Sequence, residues 1–249
     1  MLPPLLFIHG TCSQPAHFEP WLGYFRRAGY TCVAPALPGH VPSDPAILAH
    51  ATFEDYVTAL AEVHAQFDRP PVVIGYSLGG LLAQRLAVEA ECAGLVLLAA
   101  ATPFRLPLQR AMLPYILPLV RPVIGGQPFR ISDDALRALV MHHLSVAEQD
   151  ELLRDVVPDS GRAFRSVALG LVRVRPRDIR CPVLCVTGTD DRVVAASATR
   201  RLARRYSADM LVIEGCGHWL AAGSLLAEVA EPVRAWIAGL PSFRPGADL

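Results

Sequence analysis

The side chains best suited to chemistry are a serine, a pair of aspartates and a histidine, which occur in that order along the chain. Ser77 is the central residue of a G-x-S-x-G motif. Asp190 and Asp191 are adjacent, and His218 follows a glycine nearer the C-terminus. A serine hydroxyl becomes a strong nucleophile when a histidine accepts its proton and a carboxylate holds that histidine in place. These residue types therefore indicate nucleophilic attack by a serine.

The sequence around Ser77 predicts a sharp turn between a strand and a helix. Residues 72–74 are an apolar run, and residues 81–90 have a helical pattern. Such a turn holds the serine at positive φ and needs small residues two positions away on either side, here Gly75 and Gly79. The first N–H groups of the helix then face the place where negative charge develops on a substrate oxygen. This context disfavours the alternative of a glycine-rich turn with an incidental serine.

His218 is the preferred base among the eight histidines, because it follows the predicted strand 210–214 on a glycine-containing loop. The predicted strand 183–187 precedes the two aspartates. In open α/β sheets, functional residues gather beyond the carboxyl ends of the strands. On chemistry alone either Asp190 or Asp191 is a candidate acid, and the other would cap the turn.

Short apolar runs and helical patterns alternate along the chain, which predicts an open α/β sheet. The runs show no polar–apolar alternation, as is typical of parallel strands covered on both faces. The predicted strands are 5–9, 31–36, 72–75, 95–99, 183–187 and 210–214. The predicted helices of this part are 18–25, 53–63, 81–90, 196–206 and 225–238.

Between residues 103 and 175 the alternation stops, and the helical patterns 136–144, 147–156 and 162–172 follow one another. A helical insertion explains a segment of this length better than a loop does. We therefore predict a core of residues 1–102 and 176–240, a helical cap of residues 103–175 and a C-terminal tail of residues 241–249.

The cap holds an apolar cluster that suggests either a lid over an apolar substrate or packing of the cap onto the core. Its members are Leu106, Leu108, Met112, Leu113, Tyr115, Ile116, Leu117 and Leu119. Four arginines of the same segment suggest instead contact with an anionic substrate, or plain solvation. They are Arg105, Arg110, Arg121 and Arg130.

Composition limits the function classes. The 249 residues, of which 52% are hydrophobic, suffice for one large core. The 23 basic and 23 acidic residues balance, so nucleic acid is not an expected partner. Every basic residue is an arginine, which excludes mechanisms that need a lysine amine. No metal-binding spacing such as H-E-x-x-H is present, and we expect no cofactor.

The expected location is the cytoplasm. Residues 1–8 lack a basic region and a cleavage site, so no secretory signal is expected. The apolar stretch 111–125 is shorter than the roughly 20 residues of a membrane span. The six cysteines form no C-x-x-C pair and are expected to be free thiols. The expected partner is a small-molecule substrate, and nothing in the sequence indicates the oligomeric state.

Together these features resemble the α/β-hydrolase superfamily, and the likeness extends from His9-Gly10 to His218. The chain is most similar to serine-nucleophile, esterase-like members with a helical cap. Because only eight residues precede His9, we expect no N-terminal antiparallel strand pair before it. The resemblance implies about six mostly parallel strands, helices on both faces of the sheet and a helical cap insertion.

The resemblance also assigns roles within the site. The family's acid usually comes three residues after a strand-ending glycine, which is Gly188 here and favours Asp191 over Asp190. Thr11, after the His-Gly pair, and Leu78, after the serine, would supply the N–H groups that hold an oxyanion. Three further residues are candidates for contact with the substrate: Cys12, Tyr76 and Trp219. For Tyr76, packing of its ring in the core is an equally good explanation.

A hydrolase of carboxylic esters or thioesters that forms an acyl-enzyme is the leading functional prediction. Acyltransfer, lyase chemistry or carbon–carbon bond hydrolysis could use the same three residues. No feature of the sequence indicates a peptidase, and a non-catalytic binding protein is the weakest alternative. The family's hydroxynitrile lyases use a lysine after the histidine, where this chain has Trp219, so that branch is disfavoured.

Overall fold

The computed structural model describes residues 2–104 and 109–241. It contains a six-stranded sheet in the order β2-β1-β3-β4-β5-β6, and all neighbouring strands are parallel. The strands are β1 (Leu5–Ile8), β2 (Cys32–Val33), β3 (Val72–Tyr76), β4 (Gly94–Leu98), β5 (Val183–Gly188) and β6 (Asp209–Ile213). The predicted α/β fold with about six parallel strands is confirmed.

Helices cover both faces of the sheet. The helices of the core are α1 (Glu19–Arg27), α2 (Pro45–His50), α3 (Phe53–His64), α4 (Leu78–Glu89), α9 (Ala196–Tyr206) and α10 (Glu231–Ala238). Between β4 and β5 lie α5 (Leu113–Gly125), α6 (Asp133–Ala135), α7 (Val146–Arg154) and α8 (Gly161–Ala168). These last four occupy the segment predicted to be the cap, whose bounds of 103 and 175 stay a prediction.

Side chains of successive strand residues point to opposite faces, and both faces are apolar. In β1, Leu5 and Phe7 belong to the cluster formed with α1 and α10. Leu6 and Ile8 belong to the cluster formed with α3, α4 and α9. This two-sided burial is why the strands read as unbroken apolar runs.

Three elements differ from the sequence prediction. Strand β2 has two residues where six were predicted, because it lies at the sheet edge and Pro35 has no N–H to donate. The predicted helix 225–238 contains a π-helical turn, Leu226–Ala230, which ends two residues before Pro232, a residue that also lacks an N–H. Helix α5 was not among the predicted helices, and the prolines at 118 and 122 lie inside it.

Some predicted features lie outside the described residues. Arg105, Leu106 and Leu108 belong to the undescribed segment 105–108, and all but the first residue of the predicted tail 241–249 is likewise undescribed. In the described ranges, no helix combines the length and the apolar character that crossing a bilayer requires.

Candidate active site

Ser77 lies in a tight turn between β3 and α4, with a φ of 52°. Glycines on either side allow the strand and the helix to approach this closely. A Cβ on Gly75 would lie 2.3 Å from the carbonyl oxygen of Gly79, and one on Gly79 would lie 2.1 Å from that of Ile8. Residues 75 and 79 therefore have to be glycine for Ser77 to occupy this position.

His218 lies between Ser77 and Asp191, within hydrogen-bond distance of both. Its Nε2 atom is 3.0 Å from Ser77 Oγ, and its Nδ1 atom is 2.8 Å from Asp191 Oδ2. The Asp191 carboxylate accepts the Nδ1–H, which leaves Nε2 free to take the serine proton. The structure thus brings together the three residues that sequence reasoning selected.

The two aspartates have different surroundings. Asp191 is buried, and its Oδ1 atom accepts hydrogen bonds of 2.8 Å from the N–H groups of Val193 and Val194. Asp190 is exposed, and its carboxylate accepts a hydrogen bond from the hydroxyl of Thr189. Asp191 is therefore the carboxylate placed to hold His218.

The loops after β5 and β6 interlock and so fix Asp191 and His218 relative to each other. The N–H of Asp190 donates to the carbonyl oxygen of Cys216 at 2.9 Å. A Cβ on Gly188 would lie 2.1 Å from that same oxygen. Gly188 is thus required for this contact, and it is the same glycine whose spacing favoured Asp191 in the sequence.

The N–H groups of Thr11 and Leu78 border the serine. Leu78 is the first residue of α4, where a helix N–H has no intrahelical acceptor. Thr11 follows Gly10, whose Cβ position would be only 3.1 Å from Ser77 Cβ. Neither N–H hydrogen-bonds to another residue in the described part of the chain. Both donors are available to a substrate oxygen beside Ser77.

A cavity of about 120 Å³ lies beside Ser77 and His218. The predicted residues Thr11, Cys12, Tyr76 and Trp219 line it. The rest of its wall is mainly apolar and includes Met112, Tyr115, Ile116, Leu119, Leu139 and Phe164. Among the described residues, no arginine, aspartate or glutamate lines this cavity. It is suited to an uncharged, apolar group.

Helix α5 and the residue before it divide the predicted apolar lid into two faces. Met112, Tyr115, Ile116 and Leu119 border the cavity, whereas Leu117 is 79% exposed and Leu113 is exposed as well. The arginines predicted to meet an anionic substrate also lie elsewhere: those at 110 and 121 are exposed, and that at 130 pairs with an aspartate at 133.

Tyr76 and Trp219 both pack against other aromatic rings and border the cavity. The Tyr76 ring lies 5.3 Å from that of His218 and 4.9 Å from that of Trp219. Burial raises the pKa of Tyr76 well above its ordinary value, so its hydroxyl stays neutral. The buried indole N–H of Trp219 has no acceptor among the described residues.

His9 has a structural position and does not compete with His218 as a base. Its Nδ1–H donates to the carbonyl oxygen of Gly10, and its Nε2 accepts from the N–H of Leu37. Burial and the neighbouring His40 lower the pKa of His9 to about 3. It is therefore neutral near pH 7.

Sequence reasoning missed one group of polar residues next to the site. Asp159, Tyr56 and His40 are buried together, and Asp159 accepts a hydrogen bond from the N–H of Cys12. No local signal marks Asp159, because Pro-Asp-Ser-Gly at 158–161 is typical of an exposed turn. Only the tertiary structure brings it to Cys12, 147 positions away along the chain.

Comparison with known proteins gives a match over most of the chain. A model described as the alpha/beta hydrolase family matches residues 5–232. A pyrethroid hydrolase of Sphingobium wenxiniae is 25% identical over 229 residues, which cover 84% of this chain and 78% of that protein.

Solved structures share the fold. A pyrethroid hydrolase from Sphingobium faniae has a TM-score of 0.75 at 22% identity, covering 96% of this chain and 98% of the other. A methylesterase from Arabidopsis has a TM-score of 0.74 at 15% identity, covering 94% of this chain and 99% of the other.

Proposed function

This chain belongs to the alpha/beta hydrolase family, and from that premise we propose that it hydrolyses a carboxylic ester or thioester of a small, apolar substrate. The observation that carries the proposal is the hydrogen-bonded series Ser77–His218–Asp191 at the edge of an apolar cavity. The named relatives support it, since they are a pyrethroid hydrolase and a methylesterase.

The proposed reaction begins with transfer of the Ser77 Oγ proton to His218 Nε2. The serine oxygen attacks the acyl carbon, and the carbonyl oxygen becomes negatively charged. The N–H groups of Thr11 and Leu78 hold that charge, and such a donor contributes about 100- to 1,000-fold in rate. Asp191 stabilises the imidazolium formed meanwhile.

Collapse of the tetrahedral intermediate breaks the bond to the leaving alcohol or thiol. His218 returns its proton to that group, and the acyl group stays on Ser77 as an ester. Water then gives a proton to His218 Nε2 and attacks the same carbon. The acid is released, and the proton returns to Ser77 Oγ, so the enzyme is restored.

The cavity supports a proposal on the size and charge of the group it takes. A cavity of 150 Å³ in another protein accommodates benzene. The 120 Å³ beside Ser77 therefore has room for a short alkyl or small ring group. Its apolar wall supports an uncharged group at this place, and the exposed Arg110 and Arg121 lie away from it.

A series of aryl esters and acyl thioesters with increasing acyl length tests the proposal, with Ser77→Ala as the control. We expect turnover of the shorter esters and labelling of Ser77 by a fluorophosphonate. Ser77→Ala should lose both, with at least a 10³-fold fall in kcat. Labelling without turnover of any ester would indicate transferase or lyase chemistry instead. Equal labelling of Ser77→Ala would exclude Ser77 as the nucleophile.

A further inference from the structure

Asp159 is a fully buried carboxylate next to the site, with no part in the series Ser77–His218–Asp191. It lies between α7 and α8 and is 0% exposed. Taking a carboxylate out of water is strongly unfavourable unless hydrogen-bond donors or positive charge surround it. The groups that offset the cost of burying the Asp159 carboxylate therefore indicate what this residue holds in place.

Three donors reach this carboxylate. Oδ2 accepts from the N–H of Cys12 at 3.0 Å, and Oδ1 accepts from the hydroxyl of Tyr56 at 2.9 Å and the N–H of Ser160 at 2.7 Å. His40 Nε2 lies 3.5 Å from Oδ2. Although burial opposes ionisation, His40, Cys12 and Tyr56 hold the pKa of Asp159 below its ordinary value.

The N–H that Asp159 holds belongs to a strained residue. Cys12 has a φ of 55°, a left-handed conformation that residues with a Cβ adopt at a cost. Its carbonyl oxygen is held too, by the N–H of Val157 at 3.2 Å. A hydrogen bond to a carboxylate is roughly twice as strong as a neutral one, so Asp159 provides the stronger of these two restraints.

Two further contacts join the loop after Cys12 to the same segment. Gln14 Nε2 donates to the carbonyl oxygen of Asp155 at 2.8 Å, and His17 Nε2 donates to that of Leu152 at 3.0 Å. Residues 12–17 are thus fastened to residues 152–159. The residue directly before Cys12 is Thr11, whose N–H faces no protein acceptor among the described residues.

We propose that Asp159 is a positioning residue for the oxyanion hole, which it serves by holding the Cys12 N–H and thereby the orientation of the Thr11 peptide. The inference rests on the proposed function of Ser77 and Thr11. Asp159 does not line the cavity beside Ser77. Without its carboxylate, the Thr11–Cys12 turn relaxes from its strained conformation, and the Thr11 N–H no longer points to the oxyanion.

The test compares Asp159→Asn with Asp155→Asn. The first places an NH2 group against the donors around Asp159, whereas the second makes the same chemical change in a side chain that has no hydrogen bond to the loop. We expect Asp159→Asn to lower kcat for a short aryl ester 10- to 100-fold, with KM within about threefold of wild type. Asp155→Asn should leave both constants unchanged.

Binding of a trifluoromethyl ketone separates positioning from general structural damage. This inhibitor forms a hemiketal whose oxyanion needs the same N–H groups as the transition state. Its inhibition constant should rise by the same factor as kcat/KM falls in Asp159→Asn. Unchanged inhibition together with unchanged kcat would overturn the proposal, as would a rise in KM alone.

If Asp159→Asn does not fold, a backbone ester in place of the Thr11–Cys12 amide removes the same N–H and keeps every side chain. The same fall in kcat is then expected, and a wild-type kcat overturns the inference. Labelling of Ser77 by a fluorophosphonate shows whether the positioning role or the proposed function is wrong. If wild type is labelled and Asp159→Asn keeps the wild-type kcat and labelling rate, only the positioning role is contradicted. If wild type is not labelled, the proposed function itself is contradicted.

Discussion

The Nδ1 atom of His218 lies 2.8 Å from Oδ2 of Asp191. The adjacent Asp190 is exposed, and its carboxylate accepts a hydrogen bond from the hydroxyl of Thr189. We therefore expect Asp191→Asn to lower kcat by about 10⁴-fold, because an amide at this place favours the wrong tautomer of His218. Steady-state ester hydrolysis measures the effect.

Asp190→Asn is the matched control, since it makes the same change one position away. Its activity should stay within about threefold of wild type, because its carboxylate interacts with Thr189 and solvent. Equal losses in the two variants would contradict the assignment of Asp191 as the partner of His218.

The two faces of α5 predict opposite outcomes for neighbouring substitutions. Ile116→Arg places a charge against the apolar cavity, and we expect KM for a short aryl ester to rise at least tenfold. Leu117→Arg changes the next residue, which is 79% exposed, and should leave KM unchanged. A rise in KM with both variants would show that the charge acts at long range rather than inside the cavity.

The contact between Gly79 and Ile8 predicts a large loss of stability in Gly79→Ala. The added Cβ would lie 2.1 Å from the Ile8 carbonyl oxygen, which belongs to a buried strand and has no room to move. Overpacking of this kind costs about 3 kcal/mol. For a domain of this size, the midpoint of thermal unfolding should fall by roughly 6–12 °C.

Gly23→Ala, in the middle of α1, makes the same chemical change, but here we expect the midpoint of thermal unfolding to rise rather than fall. Its Cβ would lie 3.3 Å from the end of the flexible side chain of Arg27, which is exposed. Alanine in a helix interior is favoured over glycine by about 0.5–1 kcal/mol, so the melting temperature should rise slightly. A melting temperature for Gly79→Ala close to that of wild type would contradict the close packing at the elbow.

His9 predicts how stability depends on pH. Burial and His40 lower its pKa from 6.5 to about 3 in the folded state, so between these values the unfolded chain binds the proton more readily. The contribution of neutral His9 to the free energy of unfolding is therefore fully present above pH 6.5. It is lost as the pH falls toward 3, by roughly 4–5 kcal/mol in total.

Urea unfolding between pH 7 and 4.5 measures this effect. His9→Gln should be less stable at pH 7, because its hydrogen bonds to Gly10 and Leu37 change, yet its stability should fall less with acid than that of wild type. His50→Gln, whose side chain is exposed, should follow the wild-type slope. The prediction fails if His9→Gln retains the wild-type slope.

Local sequence was sufficient where function requires an unusual local structure. The turn at Ser77 needs glycines at fixed positions, and a parallel strand buried on both faces gives an apolar run before it. His218 could be placed because it follows the apolar run 210–214, which forms most of β6. Choosing Asp191 needed the family's spacing from Gly188, since both aspartates have the same chemistry and only folding buries one of them.

The interactions of Asp159 were beyond sequence reasoning for a physical reason. Its partners come from four separate parts of the chain, and a single carboxylate carries no periodic pattern that marks it as buried. The length of β2 was likewise unpredictable from hydrophobicity, because the position of a strand at the sheet edge depends on the whole topology.

The hydrogen bonds between residues 12–17 and 152–159 bear on the construction of chimeric enzymes. The segment between β4 and β5 is a natural place to graft a foreign cap, since it connects the carboxyl end of one strand to the amino end of its parallel neighbour and so lies outside the sheet. A graft that replaces all of it would remove the partners of Cys12, Gln14 and His17. A graft that ends before Leu152 would keep them, so the recipient scaffold for new specificities should include residues 152–159.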